Sequence, residues 1–256
     1  MSRPEFNAVI IFLGFALIGA TYELPTSDTD LLESGSTDFD ILIFTQHWPQ
    51  TVCFQWKEGD ANHSCSLPQG EEWSIHGIWP TQLHKLGPQF CNKSLHFNAS
   101  ALLSIESELN KKWLDVEIGT KPHSFWKHEW DKHGTCAAVL ESLNTELKYF
   151  QKGLDFLDLY DMKNTLAKAS IMPGMVHSVQ DILDGVKRIL GKNSQVECIK
   201  NPKTLESYLF EIRICFNKSL ELIDCDGIHG YPSNCDQNEQ VNYPGSVPEA
   251  YHVIQL

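Results

Sequence analysis

The sequence predicts an α+β fold: a single domain with a central antiparallel sheet packed against several helices and cross-linked by disulfides. Three observations predict it. Apolar β-prone runs stand near the beginning and the end of the chain, helical periodicities lie between them, and eight cysteines are present among 256 residues. Strands early, helices in the middle and strands late are typical of one α+β domain.

Strands are predicted at both ends of the chain. Residues 41–49 begin with an apolar run that a proline stops, and 73–80 alternate apolar and polar residues before a second proline. Residues 208–216 alternate with period two, and 220–225 follow as a candidate antiparallel partner.

Four segments between these strands have the spacing of amphipathic helices. Ser124 can cap the second of them and Gly191 stops the fourth. The predicted helices are 101–116, 125–139, 146–164 and 179–190.

The first residues read as a targeting segment. The apolar run 8–20 follows Arg3 and is shorter than the ~20 residues that a membrane span needs. We therefore predict a signal peptide over 1–20, with cleavage as late as about residue 25, and the domain itself over 39–256. A short buried N-terminal helix is the alternative, and no other stretch of the sequence could cross a bilayer.

Two further features favour export through an oxidising compartment. The cysteines are even in number and none forms a C-x-x-C pair, which argues against zinc knuckles and thioredoxin chemistry. Four N-x-Ser/Thr sequons predict glycosylated surface loops. The sequons are at Asn62, Asn92, Asn98 and Asn217.

The net charge of −13 argues against a protein that holds nucleic acid on a broad basic face. It does not exclude nucleic acid as a substrate, since an enzyme needs only a local positive site. The eleven histidines would add positive charge in an acidic compartment.

The segment FWKHEWDKHGTC, 125–136, concentrates titratable side chains on one predicted helix. At about 100° per residue, Glu129 and His133 lie within roughly 40° of each other, with Lys132 beside them. His128 and His133 are five apart, about 140° around the helix, whereas a zinc-protease helix needs histidines four apart. A solvated charged face is the simpler alternative, but charges crowded among tryptophans are costly unless they are paired or functional.

The segment SIHGIWP, 74–80, places His76 in an apolar strand. Taken alone, His76 is best explained as a hydrogen-bonded core histidine. Gly77 permits a close approach of another chain segment, and Trp79 offers a flat surface on which a nucleobase could stack.

Together, WSIHGIWP and FWKHEWDKHGTC resemble the two active-site segments of the ribonuclease T2 family, the acid transferase-type endoribonucleases. QHWPQTVC resembles the early strand of that family, and the late cysteines also fit. The resemblance covers most of the chain and is weakest before Asp38, over 166–196 and after Cys235.

The resemblance implies roles for individual residues. His76 and His133 would be the catalytic acid and base, Glu129 the third catalytic residue, His128 and Lys132 phosphate contacts, Trp79 part of one base site, and Phe125 and Gln46 part of the other. It also implies the disulfides Cys53–Cys65, Cys91–Cys136, Cys198–Cys235 and Cys215–Cys225. Family members with a well-defined purine site often carry an acidic residue where this chain has Thr81, so the base preference stays open.

The expected activity is cleavage of single-stranded RNA by acid–base transesterification. It would pass through a 2′,3′-cyclic phosphate to 3′-phosphate ends, at acid pH, without metal or cofactor, by a secreted or endolysosomal monomer that leaves DNA intact. His133 is favoured as the base and His76 as the acid, although exchanging them explains the sequence equally well. Glu129 either holds a histidine or lysine in place or donates a hydrogen bond when protonated. The alternative hypothesis is a secreted binding or signalling glycoprotein that keeps the fold without turnover.

Overall fold

A seven-stranded sheet organises residues 37–250, the part of the chain that the computed structural model describes. The strands are β1 (Ile41–His47), β2 (Ser74–Thr81), β3 (Val176–Ser178), β4 (Gln195–Lys200), β5 (Ser207–Phe216), β6 (Leu222–Ile223) and β7 (Gln240–Asn242). Their order is β2-β1-β5-β7-β3, and β4 and β6 also pair with β5. Pairing is antiparallel except between β5 and β7, so the predicted fold class is confirmed with one parallel pair added.

Helices pack against this sheet. They are α1 (Pro49–Gly59), α2 (Glu106–Lys112), α3 (Ser124–Glu129), α4 (Thr135–Ala137), α5 (Glu146–Leu159), α6 (Met162–Lys168) and α7 (Val179–Leu190). A π-helical segment, Trp130–Gly134, joins α3 to α4.

The sequence predicted α7 and the long strand β5 well. Helix α7 begins with a capping box between Ser178 and Asp181 and ends at Gly191, whose φ of 74° suits glycine. Helix α1 was not predicted, because Pro49 was interpreted only as the end of β1. Pro49 also occupies the first turn of α1, where its missing N–H costs no hydrogen bond.

Two predicted helices are shorter than expected, and side chains from β1 and β2 bind the backbone where the regular helix ends. The predicted helix 101–116 is regular only in α2, and beyond it the Leu114 N–H bonds to Ser74 Oγ at 3.0 Å. The predicted helix 146–164 breaks into α5 and α6. At the break, the Gln46 side chain donates to the Tyr160 carbonyl at 2.8 Å and accepts from the Met162 N–H at 3.1 Å.

The two faces of the sheet have different surroundings. On β1, Leu42 and Phe44 point into the main core beneath the helices, whereas Ile41 and Ile43 belong to a smaller apolar cluster on the opposite face. That second face continues along the strands into polar residues, because side chains alternate with period two. The candidate site lies there.

Four disulfides join all eight cysteines, which all lie within the described residues. They are the four pairs that the family resemblance implies: Cys53–Cys65, Cys91–Cys136, Cys198–Cys235 and Cys215–Cys225. The described residues, 37–250, belong to one compact unit. The predicted signal peptide, 1–20, lies outside the described residues, as do 251–256 of the predicted domain. No helix among residues 37–250 is long and apolar enough to cross a bilayer.

Candidate active site

A β-bulge places His76. The step from Thr45 to Gln46 on β1 corresponds to two residues on β2, which leaves His76 as the extra residue of its strand. A bulge re-aims the side chain that it carries and is common next to active sites. The Trp113 indole N–H donates to the His76 carbonyl at 2.9 Å, so the backbone of the bulge keeps a hydrogen bond.

The helical half of the site consists of α3 and the π-helical segment that follows it, and two buried tryptophans anchor it. The indole of Trp126 donates to the Trp113 carbonyl at 2.7 Å, and the indole of Trp130 donates to the Leu95 carbonyl at 2.9 Å. The prediction that Ser124 caps this helix is wrong: Ser124 is its first residue, and the preceding residue makes no side-chain cap bond.

The π-helical segment changes the geometry expected of a regular helix. The Thr135 N–H bonds to the carbonyl of Trp130, five residues back, so the turn that carries His133 is wider than an α-turn. The offset of about 40° expected between Glu129 and His133 assumed regular α-geometry. In the structure, Glu129 and His133 both contact one residue of β2.

That residue is Trp79. Its indole N–H donates to Glu129 Oε2 at 2.9 Å, and its ring centroid lies 5.3 Å from that of His133 and 4.9 Å from that of His76. Nε2 of His76 lies 3.8 Å from Glu129 Oε1. The two segments singled out in the sequence therefore meet, with their three candidate catalytic side chains around one indole.

Glu129 is buried, with 1% of its surface exposed. Burial raises the pKa of its carboxyl, although nearby His76 and the Trp79 hydrogen bond oppose the rise. Gly77 makes this packing possible: a Cβ there would lie 2.1 Å from Glu129 Oε2 and 2.3 Å from Trp79 Nε1. Any side chain at Gly77 would displace the carboxylate or the indole.

A second buried carboxylate stands behind His76. Glu211 on β5 accepts a hydrogen bond from His76 Nδ1 at 2.5 Å through Oε1. Its Oε2 accepts two bonds from Arg213, from Nε at 3.0 Å and from Nη2 at 2.6 Å. Burial would raise the pKa of Glu211, but His76 and Arg213 outweigh burial and lower it to about 2.

His76 and His133 have opposite electrostatic environments. Burial alone would lower the pKa of His76, but the charge and hydrogen bond of Glu211, with help from Glu129, raise it overall. The pKa of His133 is lowered well below its ordinary value, first by burial and then by the positive charge of Lys132. His133 Nδ1 is buried without a hydrogen-bond partner among the described residues, which leaves Nε2 as the nitrogen available to a substrate.

The two residues expected to contact phosphate lie on the same helical half. His128 is exposed and its ring centroid lies 6.5 Å from that of Phe90. Partial desolvation, followed by the charge of Lys132, lowers the pKa of His128. Lys132 therefore lies close enough to act electrostatically on both histidines of its helix.

Of the three residues expected to bind bases, two lie at the site and one does not. Phe125 and Trp79 border the site, whereas Gln46 is fully buried on the helix-covered face, where it holds the break between α5 and α6. The expectation that Gln46 contacts a base is therefore wrong. The residue that follows it, His47, lies parallel to Phe125 with 6.2 Å between ring centroids and 5.2 Å from His76.

A cavity of about 230 Å³ opens beside these rings, lined by His47, His76 and Phe125 among others. One face of Trp79 is covered by the guanidinium of Arg213, whose Cζ lies 5.2 Å from the ring centroid. Thr81 is buried and donates from Oγ1 to the Trp79 carbonyl at 3.2 Å.

The four sequons are accessible. Asn62, Asn92 and Asn98 are exposed, and Asn217 is half-buried in the turn between β5 and β6. Within residues 37–250, no group of three or more histidine, cysteine or carboxylate side chains is arranged to hold a metal ion.

Comparison with known proteins identifies the family. The profile of the Ribonuclease T2 family matches residues 39–225, well over half of the chain. The chain belongs to the ribonuclease T2 family. Ribonuclease Oy of Magallana gigas is 36% identical over 212 residues, which cover 81% of this chain and 97% of that protein. Ribonuclease T2-A of Mus musculus is 39% identical over 199 residues, which cover 76% of this chain and 72% of that protein.

Solved structures of ribonucleases support the same assignment. Human RNase T2 superimposes with a TM-score of 0.64 at 31% identity, covering 81% of this chain and 99% of that one. RNase NT, solved in complex with 5′-AMP, gives a TM-score of 0.67 at 28% identity, with 81% and 98% covered. The protein is thus an endoribonuclease of the ribonuclease T2 type.

Three residues of this ribonuclease T2 site escaped prediction from the sequence. Glu211 and Arg213 were seen only as the polar face of a strand, and His47 was passed over for its neighbour Gln46. The alternation along β5 did mark Glu211 and Arg213 as sharing one face. Their partner His76 is 135 residues away from Glu211, a pairing that no local pattern signals.

Proposed function

We propose that this endoribonuclease cleaves single-stranded RNA by transesterification at the ribose 2′-hydroxyl. The observation that carries the proposal is the convergence of His76, Glu129 and His133 on Trp79, with the pKa values of the two histidines shifted in opposite directions. One imidazole is thereby kept neutral and the other protonated at the same pH, which general acid–base catalysis requires.

The lowered pKa makes His133 the base. Its Nε2 would take the proton of the 2′-hydroxyl while O2′ forms a bond to phosphorus. The raised pKa makes His76 the acid, and its Nε2–H would protonate the departing O5′ as the P–O5′ bond breaks. The product is a 2′,3′-cyclic phosphate, which water opens to a 3′-phosphate with the two histidines in exchanged roles. DNA lacks the 2′-hydroxyl and would not react.

Glu129 would act as a hydrogen-bond donor at acid pH. Its raised pKa favours the protonated form there, and a neutral carboxylic acid can donate to a phosphoryl oxygen that a carboxylate would repel. Its Oε1 is 3.8 Å from His76 Nε2, too far for a hydrogen bond, so that nitrogen stays free for the leaving group.

Lys132 and protonated His128 would offset the charge that develops on the phosphoryl oxygens. Phe125 and His47 form an aromatic wall beside His76 on which a base can stack. Trp79 would border the other base from its open side. The proposal needs neither metal nor cofactor, because these side chains supply both proton transfers and the positive charge.

The proposed location is the extracellular space or the endolysosomal lumen. Four disulfides suit an oxidising pathway, and accessible sequons suit a glycoprotein. The directions of the two pKa shifts favour activity at acid pH. The lowered pKa keeps the base His133 neutral there, and the raised pKa keeps the acid His76 protonated. We propose that the protein acts as a monomer.

The test is cleavage of homopolymeric RNA from pH 4 to 8 in excess EDTA, with the product ends identified by mass spectrometry. We expect cyclic phosphates that convert to 3′-phosphates, a bell-shaped pH dependence with an acidic maximum, and no cleavage of the matching DNA. Loss of activity in EDTA with recovery on adding zinc would overturn the proposed chemistry.

A further inference from the structure

The carboxylate of Glu211 is not used by the acid–base mechanism above, yet it forms a hydrogen bond of 2.5 Å with the catalytic His76. It is 1% exposed and lies on the central strand β5, behind His76 as seen from Glu129 and Trp79. A buried carboxylate is costly unless it is paired, so its placement needs an explanation.

The geometry settles which nitrogen of His76 it engages. Glu211 Oε1 lies 2.5 Å from Nδ1, while Nε2 points toward Glu129 at 3.8 Å. An ionised carboxylate only accepts hydrogen bonds, so Nδ1 must carry the proton in both charge states of the imidazole. The proton that His76 can give away is therefore the one on Nε2.

Arg213 holds the carboxylate in this orientation. Its Nε and Nη2 both donate to Glu211 Oε2, and its Nη1 reaches Gln195 and Glu197 on β4 at 3.2 and 3.3 Å. The same guanidinium lies over the Trp79 ring. One arginine thus braces both the carboxylate behind His76 and the indole beside it.

We propose that Glu211 is a positioning residue for His76: it accepts the Nδ1–H hydrogen bond and so presents Nε2–H to the leaving oxygen of the substrate. This inference rests on the proposed function for its catalytic consequence, but the tautomer itself does not depend on it. Glu211 acts through His76 and does not touch the substrate.

Several other charged or titratable groups surround His76, and each one influences its titration. From β1 comes His47, from β5 Arg213, and from the helical half Glu129, His128 and His133. Any pH profile reports this coupled group, so the first test observes His76 directly.

The first experiment uses the wild-type protein labelled with ¹⁵N-histidine. Long-range ¹H–¹⁵N spectra from pH 4 to 8 would be assigned to His76 with a His76→Gln variant. We expect neutral His76 to carry its proton on Nδ1, with Nε2 as the nitrogen that loses a proton. A neutral form protonated on Nε2 would overturn the proposal whether or not the protein cleaves RNA.

The second experiment compares Glu211→Gln with Glu197→Gln. Both replace a buried carboxylate that binds Arg213, but only Glu211 contacts His76. We expect Glu211→Gln to lower kcat by about 10- to 100-fold, as for carboxylates that orient metal-bound histidines, with little change in KM. Glu197→Gln should stay close to wild type.

The pH profile separates positioning from general destabilisation. Removing the negative charge of Glu211 lowers the pKa of His76, so the basic limb of kcat should move to lower pH while the acidic limb, set by His133, stays in place. Equal losses in both variants, or an unshifted basic limb with wild-type kcat in Glu211→Gln, would count against the proposal. If Glu211→Gln fails to fold, the tautomer of His76 measured in the wild-type protein decides the test.

Discussion

His76 and His133 contact the same indole ring, yet the elements that carry them support them in opposite ways. His76 comes from the bulged strand β2, and β5, on the other side of β1, supplies Glu211 behind it. His133 comes from a π-helical turn whose neighbours Lys132 and, when protonated, His128 carry positive charge. The sheet side raises the pKa of its histidine and the helix side lowers it. The neighbouring side chains thus shift the pKa values of two histidines in opposite directions, which is the pattern expected of a paired acid and base.

Removal of either histidine should have the largest effect on activity. His133→Ala and His76→Ala should each lower kcat by about 10²–10⁴-fold, because each deletes one proton transfer. The double variant should be little worse than either single one, since the two act as a unit. Steady-state cleavage of a fluorescent oligonucleotide measures this. Thermal unfolding serves as the control for folding, and near-wild-type rates in either variant would remove that residue from the mechanism.

Gly77→Ala disturbs the carboxylate between the two sides while leaving both histidines in the chain. Because its Cβ would lie 2.1 Å from Glu129 Oε2, the Glu129–Trp79 pair must shift. We expect kcat to fall by about 10²-fold, the usual cost of misplacing a catalytic group by about 1 Å. Gly59→Ala is the matched control, since its Cβ would meet only His63 at 3.9 Å. Equal activity of both variants would show that Glu129 tolerates displacement.

Lys132→Gln changes the charge around His133 and leaves the carboxylate behind His76 in place. The positive charge of Lys132 lowers the pKa of His133, so its removal should raise that pKa and move the acidic limb of the pH profile to higher pH. The loss of a charge near the phosphate, on the order of 1 kcal/mol, should lower kcat at the optimum by several-fold. Lys127→Gln, which removes a lysine paired with Asp131 on the same helix, is the control. A shift of the basic limb instead would reverse the assignment of acid and base.

The smallest effect concerns a third histidine, His47. Burial, followed by the charge of His76, lowers its pKa to about 3, against a partial opposing influence from Glu211. Between about pH 6.5 and 3 the unfolded chain therefore binds a proton at His47 that the folded chain does not. In this range the free energy of unfolding decreases by up to about 1.4 kcal/mol for each pH unit by which the pH is lowered.

His47→Gln should accordingly make the acid decline of stability shallower without abolishing it, because His133 titrates in the same direction. Urea unfolding at pH 4, 5, 6 and 7 measures the slope. Parallel slopes for the variant and the wild type would mean that His47 is protonated in the folded protein.

The sequence predicted those parts of the site whose signal is local. The motif around His133 and the motif around His76 each identified their residues, and the resemblance that the two motifs carry implied the disulfides. Strands β1 and β2 follow from periodicity, and α7 follows from periodicity and from caps that lie within a few residues of its ends. Such signals need no knowledge of the rest of the chain.

What escaped prediction depends on departures from regular periods or on distant partners. The bulge at His76 and the π-turn that carries His133 each change the register by one residue, and a fixed period of 2 or 3.6 cannot represent them. One residue along a strand also exchanges the two faces, which is why Gln46 proved to be a core residue and His47 the one in the cleft. The contact of Glu211 with His76 depends on the pairing of β5 with β1, which no local sequence pattern predicts.

The Cys91–Cys136 disulfide joins the end of the π-turn to a segment 45 positions earlier. Cross-links that close a loop of this length contribute about 4 kcal/mol to stability in the chain-entropy treatment. Its second cysteine stands three places after His133, so breaking the bond would loosen the turn that aims the base. Reduction of this one disulfide should therefore lower the rate of RNA cleavage as well as the stability of the fold.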